Sequence, residues 1–126
     1  MGVFVYDRSF EGLLTAVFHA YSRREFPECL VGEGEPGPLF AGDRFRVVTD
    51  DVLAGRVWRG LERRAGRSIC NRGLCVWLSE EEGTDMLLMR YLRRIFGSPR
   101  GAESDFTDRD VLRMEQVARR VAQEGH

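Results

Sequence analysis

Tyr6, Asp7, Ser9 and Glu11, in the stretch YDRSFEG, bring a phenol, two carboxylates and a hydroxyl together where a short apolar run gives way to a helical repeat. Polar groups at the end of a strand and beside a helix N-terminus can bind a polar ligand. The same residue types also close a helix, since Ser9 can accept from the free N–H groups of the first turn and Glu11 suits the positive end of the helix dipole. Spacing alone leaves both readings open. A second set is made of arginine: all 19 basic residues are Arg and none is Lys. Arg offers a planar fork that fits phosphate or carboxylate, although genomic base composition produces the same usage. Arg56, Arg59 and Arg63 recur at three- and four-residue steps, and Arg90, Arg93 and Arg94 form another cluster. Lined up on exposed faces they would neutralise several phosphates, each adding about 0.9 to the salt slope on duplex DNA. The plainer alternative is a solvated face with local pairs such as Arg59 to Glu62.

Other chemistry is poorly represented. No metalloprotease, P-loop, nucleophile-elbow or Cys/His pattern occurs, and the two histidines, His19 and His126, fall at a helix position and at the chain end. Cys29, Cys70 and Cys75 are odd in number, and the Cys70–Cys75 gap is not that of a zinc ribbon or redox motif. Reduced structural thiols are expected, with no metal and no cofactor. Asp50-Asp51 and Glu80 to Glu82 fit helix starts or a solvated turn better than acid–base catalysis. GEGEPG, residues 32–37, matches the spacing GxGxxG. A phosphate cradle needs a helix after it, whereas Glu33 and Glu35 repel phosphate and the following LFAGDRF is not helical, so a loop is expected. A non-catalytic role is the better reading.

The elements that must position these residues form an α+β fold, mostly helical, in one domain of 126 residues. Val3 to Tyr6 reads as a strand. From the Ser9 cap, Phe10, Leu13, Leu14, Val17, Phe18 and Tyr21 trace one helical face to about Phe26, before Pro27. Phe45 to Val48 reads as a second strand, completing a small sheet of two strands or slightly more. Thr49, Asp50 and Asp51 then open a helix to about Ala65, with Val52, Leu53, Val57, Trp58 and Leu61 on one face and the arginines on another. Gly60 costs that helix about 1 kcal/mol relative to Ala, which anticipates a close neighbour there. Ser68 to Leu78 is a further helix with Ile69, Leu74, Trp77 and Leu78 as core candidates. Thr84 and Asp85 are expected to cap the next, with Leu88, Tyr91, Leu92, Ile95 and Phe96 inward and Gly97 and Pro99 ending it. Residues 97–105 read as a flexible loop, and Thr107 with Asp110 as a capping box for a last helix centred on Val111, Met114, Val117, Ala118 and Val121. No apolar run is long enough to span a membrane and no signal peptide is apparent at the N-terminus, so a cytoplasmic location is expected.

YDRSFEGLLTAVFHAYSRREFP, RVWRGLERR, LLMRYLRRIFG and DVLRMEQVARRVAQEGH together resemble, over nearly the whole chain, a bacterial domain family of unknown function associated with DNA metabolism. Members accompany a radical-SAM protein connected with DNA modification or repair, and in other chains a similar domain precedes a uracil-DNA glycosylase-like domain. The resemblance implies an accessory role in DNA repair or modification, with DNA, or one of those two kinds of protein, as partner. Members continue beyond the position of His126, so this chain resembles their N-terminal part, and no glycosylase motif is present. The family opening reads YDGSFEGLL, with Arg8 here in place of its glycine. If that turn needs a positive φ, Arg8 must adopt it under strain or take another turn.

Overall fold

The computed structural model describes residues 2–37 and 43–124; the non-helical reading of 38–42 and the terminal His126 lie outside them. In order, the elements are β1 (Val3–Tyr6), α1 (Phe10–Arg23), β2 (Cys29–Gly32), β3 (Arg44–Arg46), α2 (Asp51–Ala65), α3 (Arg67–Leu78), α4 (Thr84–Gly97), a 3-10 turn (Ala102–Ser104) and α5 (Arg109–Glu124). The fold is thus a mostly helical α+β arrangement with a small sheet. The chain divides into two compact units, Met1–Trp58 and Arg59–His126, with the boundary inside α2.

In the first unit the sheet has three strands in the order β2-β1-β3, both pairings parallel, with Val3 opposite Cys29 on one side and Arg44 on the other. β1 is the middle strand, which explains why it reads as an unbroken apolar run: Val3, Phe4 and Tyr6 are buried. β2 was not anticipated. Its four residues lie between Pro27 and a glycine-rich turn and carry too little pattern to register, yet Leu30 and Val31 are buried. β3 runs Arg44–Arg46, starting and ending before the Phe45–Val48 expected, because Val48 is already 71% exposed beyond the sheet. α1 ends at Arg23, short of Phe26, through a left-handed Arg24 (φ 56°) whose backbone N–H donates to the Ala20 and Tyr21 carbonyl oxygens and closes the last turn.

One helix start falls where expected, and two others depart from expectation in physically readable ways. Asp50 caps α2, its carboxylate accepting from Val52 and Leu53 N–H at 2.9 and 3.2 Å. α4 begins after a left-handed Gly83 without a side-chain cap, so Thr84 and Asp85 are its first residues and not its caps. Asp108, not Thr107, caps α5, accepting from the N–H groups of Asp110 and Val111, while the Thr107 hydroxyl donates to Asp105. Four apolar assignments also fail, the first being Tyr21 on α1, which is 41% exposed. Val52 is 70% exposed, and on α3 Leu74 and Leu78 face outward while Ile69, Cys70, Gly73 and Val76 are buried. α3 packs along α5 on that buried side.

Candidate functional site

The polar junction sits at the carboxyl end of the parallel sheet, where β1 turns into α1 and β3 leads toward α2. Such ends commonly hold ligands in α/β sheets, so the contacts of each side chain decide what this one does. Tyr6 is fully buried. Asp7 accepts from the Ser9 N–H at 3.0 Å and the Ser9 hydroxyl at 2.6 Å through one oxygen, and from the Thr49 hydroxyl at 2.7 Å through the other. The Ser9 hydroxyl, Thr49 and the Ser9 N–H, in that order, hold the Asp7 carboxyl below its ordinary pKa. Ser9 in turn accepts from the Gly12 N–H at 2.8 Å and caps α1. A carboxylate held low and engaged by three donors is a poor general base and a good structural tie. Glu11 is exposed in the first turn of α1, where its charge suits the helix dipole.

Two more ties were invisible in sequence. The buried Thr15 hydroxyl donates to Glu11 carbonyl oxygen at 2.7 Å and accepts from the Asp50 N–H at 3.2 Å, so the β3–α2 connection is fastened to α1 at Thr15 as well as at Asp7. Gly12 makes this possible: a Cβ there would run into the Asp7 carboxylate and come within 3.0 Å of the Ser9 and Thr49 hydroxyls. Arg8 takes the positive φ (64°) that the resemblance makes natural for glycine. Its guanidinium grips Glu35 through two hydrogen bonds of 3.0 and 2.7 Å and lies 5.7 Å from the centre of the Tyr6 ring. With Arg46 paired to Glu33 at 3.3 Å, both carboxylates of GEGEPG are engaged by arginine, and the segment is a turn and loop.

The six candidate arginines separate by their surroundings. In the first unit, Arg56 stacks over Phe18, 5.3 Å from the ring centre. In the second, Arg90 makes a two-pronged contact with Asp110 at 3.0 and 3.2 Å, and Arg94 pairs with Asp105 at 2.7 Å and Asp108 at 3.2 Å. Arg93 is exposed on α4. Arg59 and Arg63 are exposed too, and among the described residues neither has an ion pair; the Arg59–Glu62 pair that the plainer alternative offered does not form. Arg64, by contrast, turns inward and donates to the carbonyl oxygens of Ile95 and Ser98, tying the end of α2 to the end of α4.

The remaining charges of the second unit are organised around two carboxylates. Glu81 accepts from Arg113 and Arg120 at 3.2 and 2.7 Å, and the Arg120 contact first of all lowers its pKa. Glu115 joins Arg72 to Arg119, both at 3.0 Å. Tyr91 is fully buried, its phenol pushed up by burial and its hydroxyl donating at 3.4 Å to the carbonyl oxygen of Glu103, in the 3-10 turn that lies within the stretch 97–105. An open groove of about 1030 Å³ runs between α4 and α5, with Leu87 and Leu112 among its walls and the Arg90–Asp110 pair along it. Among the described residues, no three His, Cys, Asp or Glu side chains are grouped to hold a metal ion, and no helix is long and apolar enough to cross a membrane. Comparison of the chain with protein-family models, with curated proteins and with solved structures finds no match in any of the three.

Proposed function

We propose that the protein is an accessory component of DNA metabolism, in repair or modification, that contacts the nucleic-acid backbone through arginine. The observation that supports this is the state of Arg59 and Arg63: exposed, one helical turn apart on α2, and without a carboxylate partner among the described residues. Arg90 and Arg94 are weaker candidates, since their charge is already met by Asp110, Asp105 and Asp108 and phosphate would have to displace those partners. The distribution of charge agrees: arginines outnumber carboxylates from Arg59 onward, while carboxylates outnumber arginines up to Trp58. The test is binding of the chain to labelled single- and double-stranded DNA across a salt series. Binding that falls log-linearly with salt, with a slope reduced by about 1.8 when Arg59 and Arg63 are both changed to Ala, supports the reading. Absence of binding at low salt sinks it.

A second reading, docking on a radical-SAM or uracil-DNA glycosylase-like protein, is favoured by the groove between α4 and α5. Leu112 is 43% exposed there, and of the charges lining the groove Arg90, Asp110, Asp108 and Arg113 are paired within the chain. A partner held in that way would bind with little dependence on salt, and Leu112→Glu would abolish its binding while leaving DNA affinity intact.

A further inference from the structure

The turn that follows β2 lays its two carboxylates on arginines from the other two strands of the sheet. Glu35 receives both prongs of Arg8, the second residue beyond β1, and Glu33 accepts from Arg46, the last residue of β3. β3 lies on the far side of β1 from β2, so the Glu33–Arg46 pair reaches across the middle strand. Further along the turn, the backbone of Gly37 lies against the Arg44 guanidinium, which a Cβ there would strike. Arg44 and Arg46 flank Phe45, whose ring meets His19 and Arg23 of α1, so both arginines stand on the sheet face turned away from α1.

The contact is shaped on both sides. A Cβ at Gly32 would collide with the Glu35 carboxylate and come within 3.0 Å of Arg8 Cγ, so the turn closes only over a bare backbone. Arg8 holds a positive φ of 64°, which costs any residue with a side chain, and from there sets its fork on Glu35. The closure is nonetheless shallow. Glu33 to Pro36 are exposed; Arg8 and Glu35 keep 47 and 46% of their side-chain surface in water, and Arg46 and Glu33 keep 74 and 44%. Ion pairs so exposed contribute little to stability.

Arg8 and Arg46 mark the carboxyl ends of two neighbouring parallel strands. The chain passes from β1 to β2 on one side and then crosses to β3 on the other, and open parallel sheets bind ligands at such a reversal. A guanidinium fork takes phosphate with the same two-pronged geometry as carboxylate. We propose that Arg8, Arg44 and Arg46 form a phosphate-binding site that the chain's own turn holds closed, with Glu35 and Glu33 standing where phosphate groups bind. In the closed turn these carboxylates repel phosphate, so a ligand enters by displacing them. The phosphate belongs to a small phosphorylated molecule or to a nucleic-acid strand, and the site does not depend on Arg59 and Arg63.

Isothermal titration with pyrophosphate, whose two phosphate groups match the two carboxylates, tests the site in a parent chain carrying Arg59→Ala and Arg63→Ala, so that α2 adds nothing. Glu33→Gln/Glu35→Gln should bind about tenfold tighter or more than that parent, because the competing charges are gone. Adding Arg8→Gly should return the affinity to the parent's value or below, and glycine suits the φ of 64°, so the fold is kept. Glu80→Gln/Glu82→Gln, the same loss of charge elsewhere, should leave the affinity at the parent's value. In the parent, pyrophosphate should speed amide exchange at Glu33 and Glu35, whose N–H groups donate to the Tyr6 and Gly32 carbonyl oxygens in the closed turn. Repeating the titrations with a labelled single-stranded oligonucleotide identifies the source of the phosphate: a gain for pyrophosphate alone assigns a small phosphorylated ligand, and a gain for the oligonucleotide assigns a nucleic-acid backbone. No gain with either probe, an equal gain from Glu80→Gln/Glu82→Gln, or a gain that survives Arg8→Gly would each overturn the proposal.

Discussion

Gly12 and Gly60 are both interior glycines of helices, and the same substitution at the two positions should move stability in opposite directions. Replacing a helical Gly by Ala contributes about 1 kcal/mol in favour of the helix. At Gly60 the new methyl meets only the Phe96 ring, at 3.7 and 3.9 Å, an ordinary van der Waals approach, so most of that gain is kept. At Gly12 the methyl collides with the Asp7 carboxylate oxygen and crowds the Ser9 and Thr49 hydroxyls at 3.0 Å. Making room breaks the three hydrogen bonds to Asp7, worth about 0.5 kcal/mol each at so exposed a site, and disturbs the Ser9 cap, worth about 1 kcal/mol. Gly12→Ala is therefore expected to lose about 1.5 kcal/mol net and Gly60→Ala to gain up to about 1 kcal/mol. Urea unfolding followed by far-UV circular dichroism gives both values. A Gly12→Ala chain as stable as the parent would refute the view that the junction is a tightly packed tie needing a bare backbone at that point.

The tie should also respond to acid. Because the folded pKa of Asp7 is depressed, its contribution is present above the unfolded value of 3.8 and is lost as pH falls through the lower folded value. Asp7→Asn should accordingly be less stable than the parent at neutral pH and converge with it as pH falls below the folded value; a difference that stays constant as the pH is lowered would contradict the assignment. Arg94→Ala releases Asp105 and Asp108, the cap of α5, and should cost about 1–2 kcal/mol, with faster amide exchange concentrated in the first turn of α5. Leu88→Ala, at a position 2% exposed, should cost about 3 kcal/mol, whereas Leu78→Ala, at 64%, should stay within about 0.5 kcal/mol in dilute solution. Thermal unfolding of the two variants beside the parent distinguishes them.

The helices were legible in the sequence because their apolar residues recur at helical spacing, and that periodicity is a local property of the chain. α1, α4 and α5 place their inward residues where the spacing puts them: Leu13, Val17, Leu88, Ile95, Met114 and Val117 are all buried. β1 was readable as an apolar run, and the Ser9 cap follows from a hydroxyl one residue before a helix. What the tertiary structure alone decided begins with β2, whose pairing with β1 supplies an order that CLVG does not contain. It also decided which periodic leucines stay outside, since α3 has apolar residues on two sides and only its packing on α5 selects Ile69 and Val76 over Leu74 and Leu78.

The same division runs through the candidate sites. Arginine spacing in the sequence identified two clusters, but charge neutralisation depends on carboxylates 11 to 20 residues away, as in Arg94–Asp105 and Arg90–Asp110. Asp7 and Ser9 were visible as a junction, while Thr49, 42 residues beyond Asp7, and Thr15, 35 residues before Asp50, enter only when β3 lies alongside β1. Sequence thus determined β1, the helices and the charges available to each surface, because these follow from neighbours along the chain. The tertiary structure decided which charges are spent on one another and which are left to face solvent, because hydrogen bonds and ion pairs act over a few ångströms between groups that only folding brings together.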